Sequence, residues 1–520
     1  MLTDSEGVDF RFNPLAGLDR ARDWLQACLK DHKCRSSAPG LLPSRIIDVC
    51  SGSESDIRLL TTTPGTRGCY AALSYCWGAG HDASYLTTTA NLQQRQAGFP
   101  VDILPRTLRD AVRVTRRLRL RYLWVDAICI LQGTDEHARA DWTAESGRMA
   151  DVYSLATVTI SATASDHCNG GLAYGMACRV AIGSGKARQL VQLDLTTDGR
   201  GYMLEETRGL GARTAIITRA WTLQEHVLSS RILYFTAYGL QWECEGAYVG
   251  SPGGRWHTSP KYNLKIFVRK KEPFRRLWAD LVANYTLRKL SNSEDKLPAF
   301  AAVAKTMHIL SGDTYLAGLW KRDLIAHLLW TTKVYGDLRG AQERPVAYRA
   351  PSWSWMSLDA AVSLEYKLDQ MEVSVIESCH VTPVNPEDPF GQVTGGVLIM
   401  RGPTARITRI RGLRIYTNFK QSEYRLGEAV FDTPRDESEA RQALEGTTSD
   451  IVAIVLQYRR QGNTYALMLA PVTEQGQPTQ RYRRIGVVTW FKEVAYARES
   501  DWKMEEVPTD KLPVRKFVII

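Results

Sequence analysis

The sequence is poor in the features that announce the simplest functional classes. Ten cysteines stand at irregular spacings in 520 residues, with no Cys-x-x-Cys pair. A chain long enough to bury a real core needs no disulfide staples, so a reducing, cytoplasmic setting is expected. No run approaches the roughly 18 apolar residues that span a bilayer, so no membrane association is expected. The opening residues, MLTDSEGVDFRF, lack the basic start and apolar stretch of a secretory leader. Without a Gly-x-Ser-x-Gly elbow, α/β-hydrolase chemistry has no anchor. Gly183-Ser184-Gly185-Lys186 lacks both the upstream glycine and the following hydroxyl of a phosphate-binding P-loop. Zinc sites are read from short, defined Cys/His spacings. Here Cys28 and Cys34 sit apart from any second pair, and Asp166-His167-Cys168 and Cys379-His380 are isolated, so no metal is expected. Internal repeats and low-complexity segments are also missing.

What is present describes an ordinary globular chain. Hydrophobic residues make up 44% and charged residues 23%, which excludes a disordered or collagen-like protein. Lys and Arg number 66 against 56 Asp and Glu, a net charge of +10. Such an excess is too mild to establish nucleic-acid binding. Its densest cluster is Arg106, Arg109, Arg113, Arg116, Arg117, Arg119 and Arg121, with Leu108, Ala111, Val112, Thr115 and Leu118 at helical spacing between them. That pattern is an amphipathic helix with a wet arginine face. The face reads first as solvated surface and second as an assembly or nucleotide-facing surface. No aromatic platform interleaves with it, so a nucleic-acid partner is not expected.

Four regions follow from the patterning. Residues 1–60 read as an N-terminal helical segment (helix over 15–34) and a linker. Residues 66–250 alternate strand and helix, which argues for a parallel α/β sheet. Its strand signals are AALSYCW, YLWVDAICI (Tyr122–Ile130), TVTISA and ILYFTAYGLQWEC; its helix signals are Pro105–Leu118 and Asp141–Ala156. Residues 251–370 read as mostly helical. Residues 375–520 read as a β-rich module interrupted by DTPRDESEARQALEG, taken as a surface insertion, with Gln461-Gly462-Asn463 as one of its turns. The whole is α+β, an α/β domain with helical and β-rich companions.

Three segments place tryptophan beside polar residues at strand ends: Tyr70–Gly78 (YAALSYCWG), Tyr122–Gln132 (YLWVDAICILQ) and Arg219–Glu225 (RAWTLQE). Ligands of parallel α/β sheets bind beyond the carboxyl ends of the strands. If these strands are neighbours, Tyr75, Trp77, Asp126, Gln132, Arg219, Trp221 and Glu225 gather there. Each also has a plain structural reading: core packing for the tryptophans, a strand-end cap for Asp126, and an ion pair with Arg219 or Arg231 for Glu225.

These blocks resemble the fungal heterokaryon incompatibility (HET) domain family. The family runs Tyr-x-Ala-Leu-Ser-Tyr-x-Trp-Gly, Leu-Pro-x-Thr-x-x-Asp-Ala, Tyr-Leu-Trp-Val/Ile-Asp-x-x-Cys-Ile-x-Gln and Arg-x-Trp-x-x-Gln-Glu. The chain carries these at Tyr70–Gly78, Leu104–Ala111, Tyr122–Gln132 and Arg219–Glu225, together with Arg148–Tyr153 (RMADVY) and Pro351–Ser357 (PSWSWMS). One departure is that Gly133 and Thr134 precede Asp135, where the family follows its glutamine directly with an acidic residue. The resemblance implies non-self recognition and programmed cell death, with the domain as effector or self-association module and other incompatibility proteins as partners. RAWTLQE and LSYCWG are further similar to the Trp-Cys-x-x-Glu and Ile-Ser-Tyr blocks of Toll/interleukin-receptor (TIR) domains. That similarity implies a TIR-like parallel sheet in which Glu225 is the carboxylate that cleaves NAD or a related nucleotide. Among the strand-end residues, Asp126 is a second catalytic candidate, and Tyr75, Trp77, Gln132, Arg219 and Trp221 are candidates to hold the nucleotide. No resident cofactor would be required, since NAD would be the substrate. A tailoring enzyme of fungal secondary metabolism on the same scaffold is a further alternative.

Overall fold

The computed structural model describes residues 16–32, 34, 39–78, 82–172, 177–182, 189–194, 215–236, 239–249, 274–332, 342–364, 371–419, 422–445, 450–458, 463–474, 477–490 and 511–520. Gly183–Lys186 lies outside them, as do two of the three residues of the turn expected at Gln461–Asn463. The chain forms two compact units, Met1–Lys271 and Glu272–Ile520.

The first unit is built on a nine-stranded sheet. Its strands are β1 (Arg45–Asp48), β2 (Asp56–Thr61), β3 (Tyr70–Ser74), β4 (Phe99–Pro100), β5 (Tyr122–Trp124), β6 (Val158–Ser161), β7 (Arg231–Thr236), β8 (Gly239–Cys244) and β9 (Tyr248–Val249). Across the sheet they run β9-β8-β7-β6-β3-β5-β1-β2-β4. Two strands of the expected N-terminal segment, β1 and β2, thus extend the sheet of the α/β region. The sheet is mixed, a correction to a wholly parallel one. Only β7, β6, β3 and β5 are mutually parallel, and the flanking strands pair antiparallel. Every residue of β3, β6 and β7 is buried, as expected of strands covered on both faces. In chain order the parallel strands stand second, first, third, fourth. Their order therefore reverses between β3 and β6, the position beyond whose strand carboxyl ends sheets of this kind bind ligands.

The helices are α1 (Ala16–Asp31), α2 (Leu92–Ala97), α3 (Arg106–Arg117), α4 (Asp126–Cys129), α5 (Glu136–Ser146), α6 (Met149–Leu155) and α7 (Trp221–Leu228). Three elements differ from expectation. YLWVDAICI is a strand only to Trp124; the Asp126 carboxylate then accepts from Ala127 N–H at 2.7 Å and opens the single turn α4. The helix expected over Asp141–Ala156 is two helices, interrupted at Gly147 and Arg148. ILYFTAYGLQWEC is an antiparallel pair, β7 with β8.

Part of the arginine cluster is stitched into the unit. Arg116 donates to the carbonyls of Val49 (2.6 Å), Glu54 (2.6 Å) and Asp56 (3.2 Å). Arg117 bonds Asp19 of α1 at 2.8 Å, and Arg121 chelates the fully buried Asp48, its Nη2 at 2.9 Å. The charge cluster is thus in part a set of internal ties, which weakens its reading as an open surface for assembly or a nucleotide.

The second unit combines helices with a β-barrel. Phe274–Thr286, Pro298–Ser311 and Leu324–His327 are helical. The PSWSWMS segment enters its aromatic core: Trp353 and Trp355 are fully buried, and Trp355 Nε1 donates to the Gly318 carbonyl at 2.8 Å. Strand Val393–Arg406 pairs with Val452–Tyr458 and with Val514–Ile519. Val514–Ile519 pairs with Gln477–Trp490, and Thr464–Glu474 joins that strand back to Val452–Tyr458, closing a ring. Closure removes the edges that would otherwise template pairing. DTPRDESEARQALEG is a helix, Pro434–Glu445, that buries Asp436 and Ala440, so it belongs to the core and is no surface insertion.

Candidate functional site

Beyond the carboxyl end of β3 the chain passes through Tyr75, Cys76 and Trp77 to Gly78. Gly78 has φ +83°, and a Cβ there would stand 2.4 Å from the His167 Cβ. The motif glycine thus lets the loop press against the His167–Cys168 turn, where Cys168 N–H bonds the Trp77 carbonyl at 3.2 Å. Gly78→Ala is expected to cost about 1–3 kcal/mol, read as a lower denaturant midpoint.

This turn aims Trp77 at the end of β5, where its indole Nε1 donates to Asp126 Oδ2 at 2.9 Å. With Ala127 N–H on the other oxygen, Asp126 is held at both ends, and burial raises its pKa against these bonds and the Arg219 charge. Arg219, just before α7, donates to the Tyr75 carbonyl at 2.6 Å. Glu225 follows on α7 with 7% of its surface exposed. Burial pushes its carboxyl up to about 7, while the Ser74 hydroxyl, Arg219 and the Tyr153 phenol pull it back and the Asp126 charge adds to the rise. Glu225 Oε2 and the hydroxyl of buried Tyr75 have no hydrogen-bond partner among the described residues.

The structure therefore gathers Tyr75, Trp77, Asp126, Arg219 and Glu225 at the β3/β6 switch point. Gln132 sits beside them with its amide engaged by backbone, donating to the carbonyls of Ile130 (3.1 Å) and Asp126 (3.5 Å). Trp221 packs edge-to-face on Trp142 of α5, ring centroids 6.2 Å apart. Asp135, displaced by Gly133 and Thr134, is the N-cap of α5, accepting from Ala138 N–H at 3.0 Å. Sequence reasoning missed Ser74 and Tyr153. Both lie inside quoted motifs, LSYCWG and RMADVY, and Tyr153 also donates to the Leu73 carbonyl at 3.1 Å. Cys129 is a core residue, 1% exposed, with its thiol pushed up to about 12 by burial.

Carboxylates beyond the parallel strands of an α/β sheet, at its switch point, define the class: an α/β domain with acidic side chains at the ligand-binding edge of its sheet. Residues 70–225 match the family described as Heterokaryon incompatibility protein (HET), and the match begins at β3 and ends on Glu225. The chain carries a HET domain over those residues. The comparisons with curated proteins and with solved structures give no match. Among the described residues no helix is long and apolar enough to cross a membrane.

Proposed function

We propose that this HET domain is the effector of a fungal non-self response ending in programmed cell death. It acts in the cytoplasm by cleaving the N-ribosyl bond of NAD or a related nucleotide. The observation that carries this reading is Glu225, a buried carboxylate at the switch point with one oxygen unpartnered and a pKa near neutrality. Perturbed carboxylates are what acid–base and electrostatic catalysis need.

In the reaction the C1′–N bond breaks, its electron pair leaves with nicotinamide, and the ribosyl centre gains positive charge. The ionised Glu225 stabilises that charge; water then bonds to C1′ and gives up a proton. Trp77 fixes Asp126, Arg219 offers a positive charge suited to a phosphate, and Tyr75 lies at the switch point. Trp221 and Gln132 act one layer out, through Trp142 and the α4 turn. NAD is the substrate, and no resident cofactor is needed.

Purified full-length protein, concentrated or with a crowding agent, should release nicotinamide from NAD. Glu225→Gln should lower that rate on the order of 10²-fold or more. Absence of release under every assembly condition, in a protein that still kills cells, would refute the reaction. A second reading, a non-enzymatic module that self-associates or docks other incompatibility proteins, is favoured by the depth at which Glu225 lies. In that case Glu225→Gln leaves killing unchanged.

A further inference from the structure

At the end of α1, Cys28 and His32 lie one helical turn apart, with His32 N–H bonded to the Cys28 carbonyl at 3.1 Å. Cys34 follows two residues later. Cys244 ends β8, across the first unit in sequence but against α1 in space. One donor atom from each of these four residues lies within 4.8 Å of all the others. The Cys28 and Cys34 sulfurs are 3.7 Å apart, and His32 Nδ1 is 3.2 Å from the Cys244 sulfur. Zinc bonds of about 2.3 Å to sulfur and about 2.0 Å to nitrogen, at tetrahedral angles, give edges of about 3.7 Å and about 3.5 Å. The Cys28–Cys34 and His32–Cys244 edges thus come close to those of a zinc tetrahedron, and no edge among the four atoms exceeds 4.8 Å.

The surroundings suit a metal thiolate as well. Three thiolates and a dication leave one net negative charge, and the Arg231 guanidinium, 1% exposed, donates Nε–H to the Cys28 sulfur at 3.2 Å. The backbone N–H groups of Gly246 and Ala247 are directed at the Cys244 sulfur. Such outer partners orient metal ligands and set their basicity.

We propose that Cys28, His32, Cys34 and Cys244 form a structural Cys₃His zinc site. Four protein ligands close the coordination sphere, which is the arrangement of a structural site and leaves no place for substrate. Its ligands come from α1, before the HET-matched residues, and from β8, after them, so the metal fastens together elements flanking both ends of the matched segment. Short-range spacing conceals this set because His32 and Cys244 stand 212 positions apart.

The test is metal content and cobalt substitution on the full-length chain, purified reduced and without chelator. The expected result is about one zinc per chain, and Co²⁺ exchange giving the visible bands and sulfur-to-cobalt charge transfer of a tetrahedral thiolate site. Cys34→Ser, at the partly buried ligand, should keep the fold and weaken cobalt binding at least ~10-fold. His32→Ala should shift the cobalt spectrum by removing the nitrogen ligand. Reduced wild-type protein that carries no zinc and takes up no cobalt would overturn the proposal. So would a Cys28–Cys34 disulfide in protein purified without reductant whose reduced form binds no metal.

Discussion

Replacing Glu225 by Gln is expected to raise the melting temperature of the protein at pH 8, and to raise it less at pH 5. The folded carboxyl titrates at about 7 against an ordinary value of 4.5, because burial disfavours its charged form. Between those pH values the native state holds a proton that the unfolded chain has released. Stability therefore falls as pH rises through that window. A shift of this size amounts to about 3 kcal/mol once ionisation is complete, an upper figure for a group with a few partners. In a unit of this size that is roughly 5–10 °C. Gln carries its own burial cost, but that offset is the same at both pH values, so the pH-dependent part isolates the carboxylate. A scan of wild type and variant from pH 5 to pH 8 checks this. If Glu225 is instead one half of a satisfied core ion pair, the variant loses stability at both ends and the difference shrinks at low pH. That outcome would also remove the basis for catalysis, since a functional carboxylate kept against its own stability is what the proposed reaction requires.

The same residue shows how far the sequence could be read. Glu225, Asp126, Trp77, Tyr75 and Arg219 were legible because parallel strands bring their carboxyl ends to one edge, and short motifs marked those ends. Apolar runs located β3, β5, β6 and β7, and periodicity located α1 and α3, whose buried and wet faces alternate cleanly. Other features depended on the fold. YLWVDAICI is apolar on both sides of Asp126, so its pattern does not distinguish a strand from a strand and a helical turn; the Asp126 carboxylate on Ala127 N–H decides it. The arginines of α3 look like a solvated stripe until the carbonyls of Val49, Glu54 and Asp56 arrive from elsewhere in the chain to meet Arg116. DTPRDESEARQALEG looks like surface by charge alone, yet Asp436 is buried because Arg344 and Arg483 accompany it. Composition reports what a side chain carries, and burial depends on which partner comes with it.

Asp432→Ala is expected to produce the largest loss of stability in the second unit, about 3–5 kcal/mol. Asp432 is 1% exposed and Arg484 is fully buried. Arg484 grips both Asp432 oxygens, with Nε at 3.0 and 3.2 Å and Nη2 at 3.0 Å. It also donates to the carbonyls of Leu328 (2.6 Å) and Trp330 (2.5 Å), and its guanidinium lies 3.3 Å from the Trp330 ring centroid. Arg344 reaches Asp432 at 3.1 Å and Asp436 at 3.4 Å, and Arg483 pairs with Asp436. The network thus joins the end of strand Ser422–Phe431, strand Gln477–Trp490 and the turn after helix Leu324–His327. Removing the Asp432 carboxylate leaves the buried Arg484 charge without its counterion, and that uncompensated charge, more than the lost bonds, sets the size of the effect. Arg435→Ala, which removes an 86% exposed partner of Glu439 and leaves the Glu439–Arg483 pair in place, should change stability by less than about 1 kcal/mol. The two variants can be compared by denaturant unfolding followed through tryptophan fluorescence. A loss of under about 1 kcal/mol in Asp432→Ala would mean that water reaches Arg484 and that the cluster is not the pivot of this unit. Arg484→Met combined with Asp432→Leu separates charge from shape. It should recover part of the loss by removing both ions, though not all of it, because the carbonyls of Leu328 and Trp330 then lose their donors.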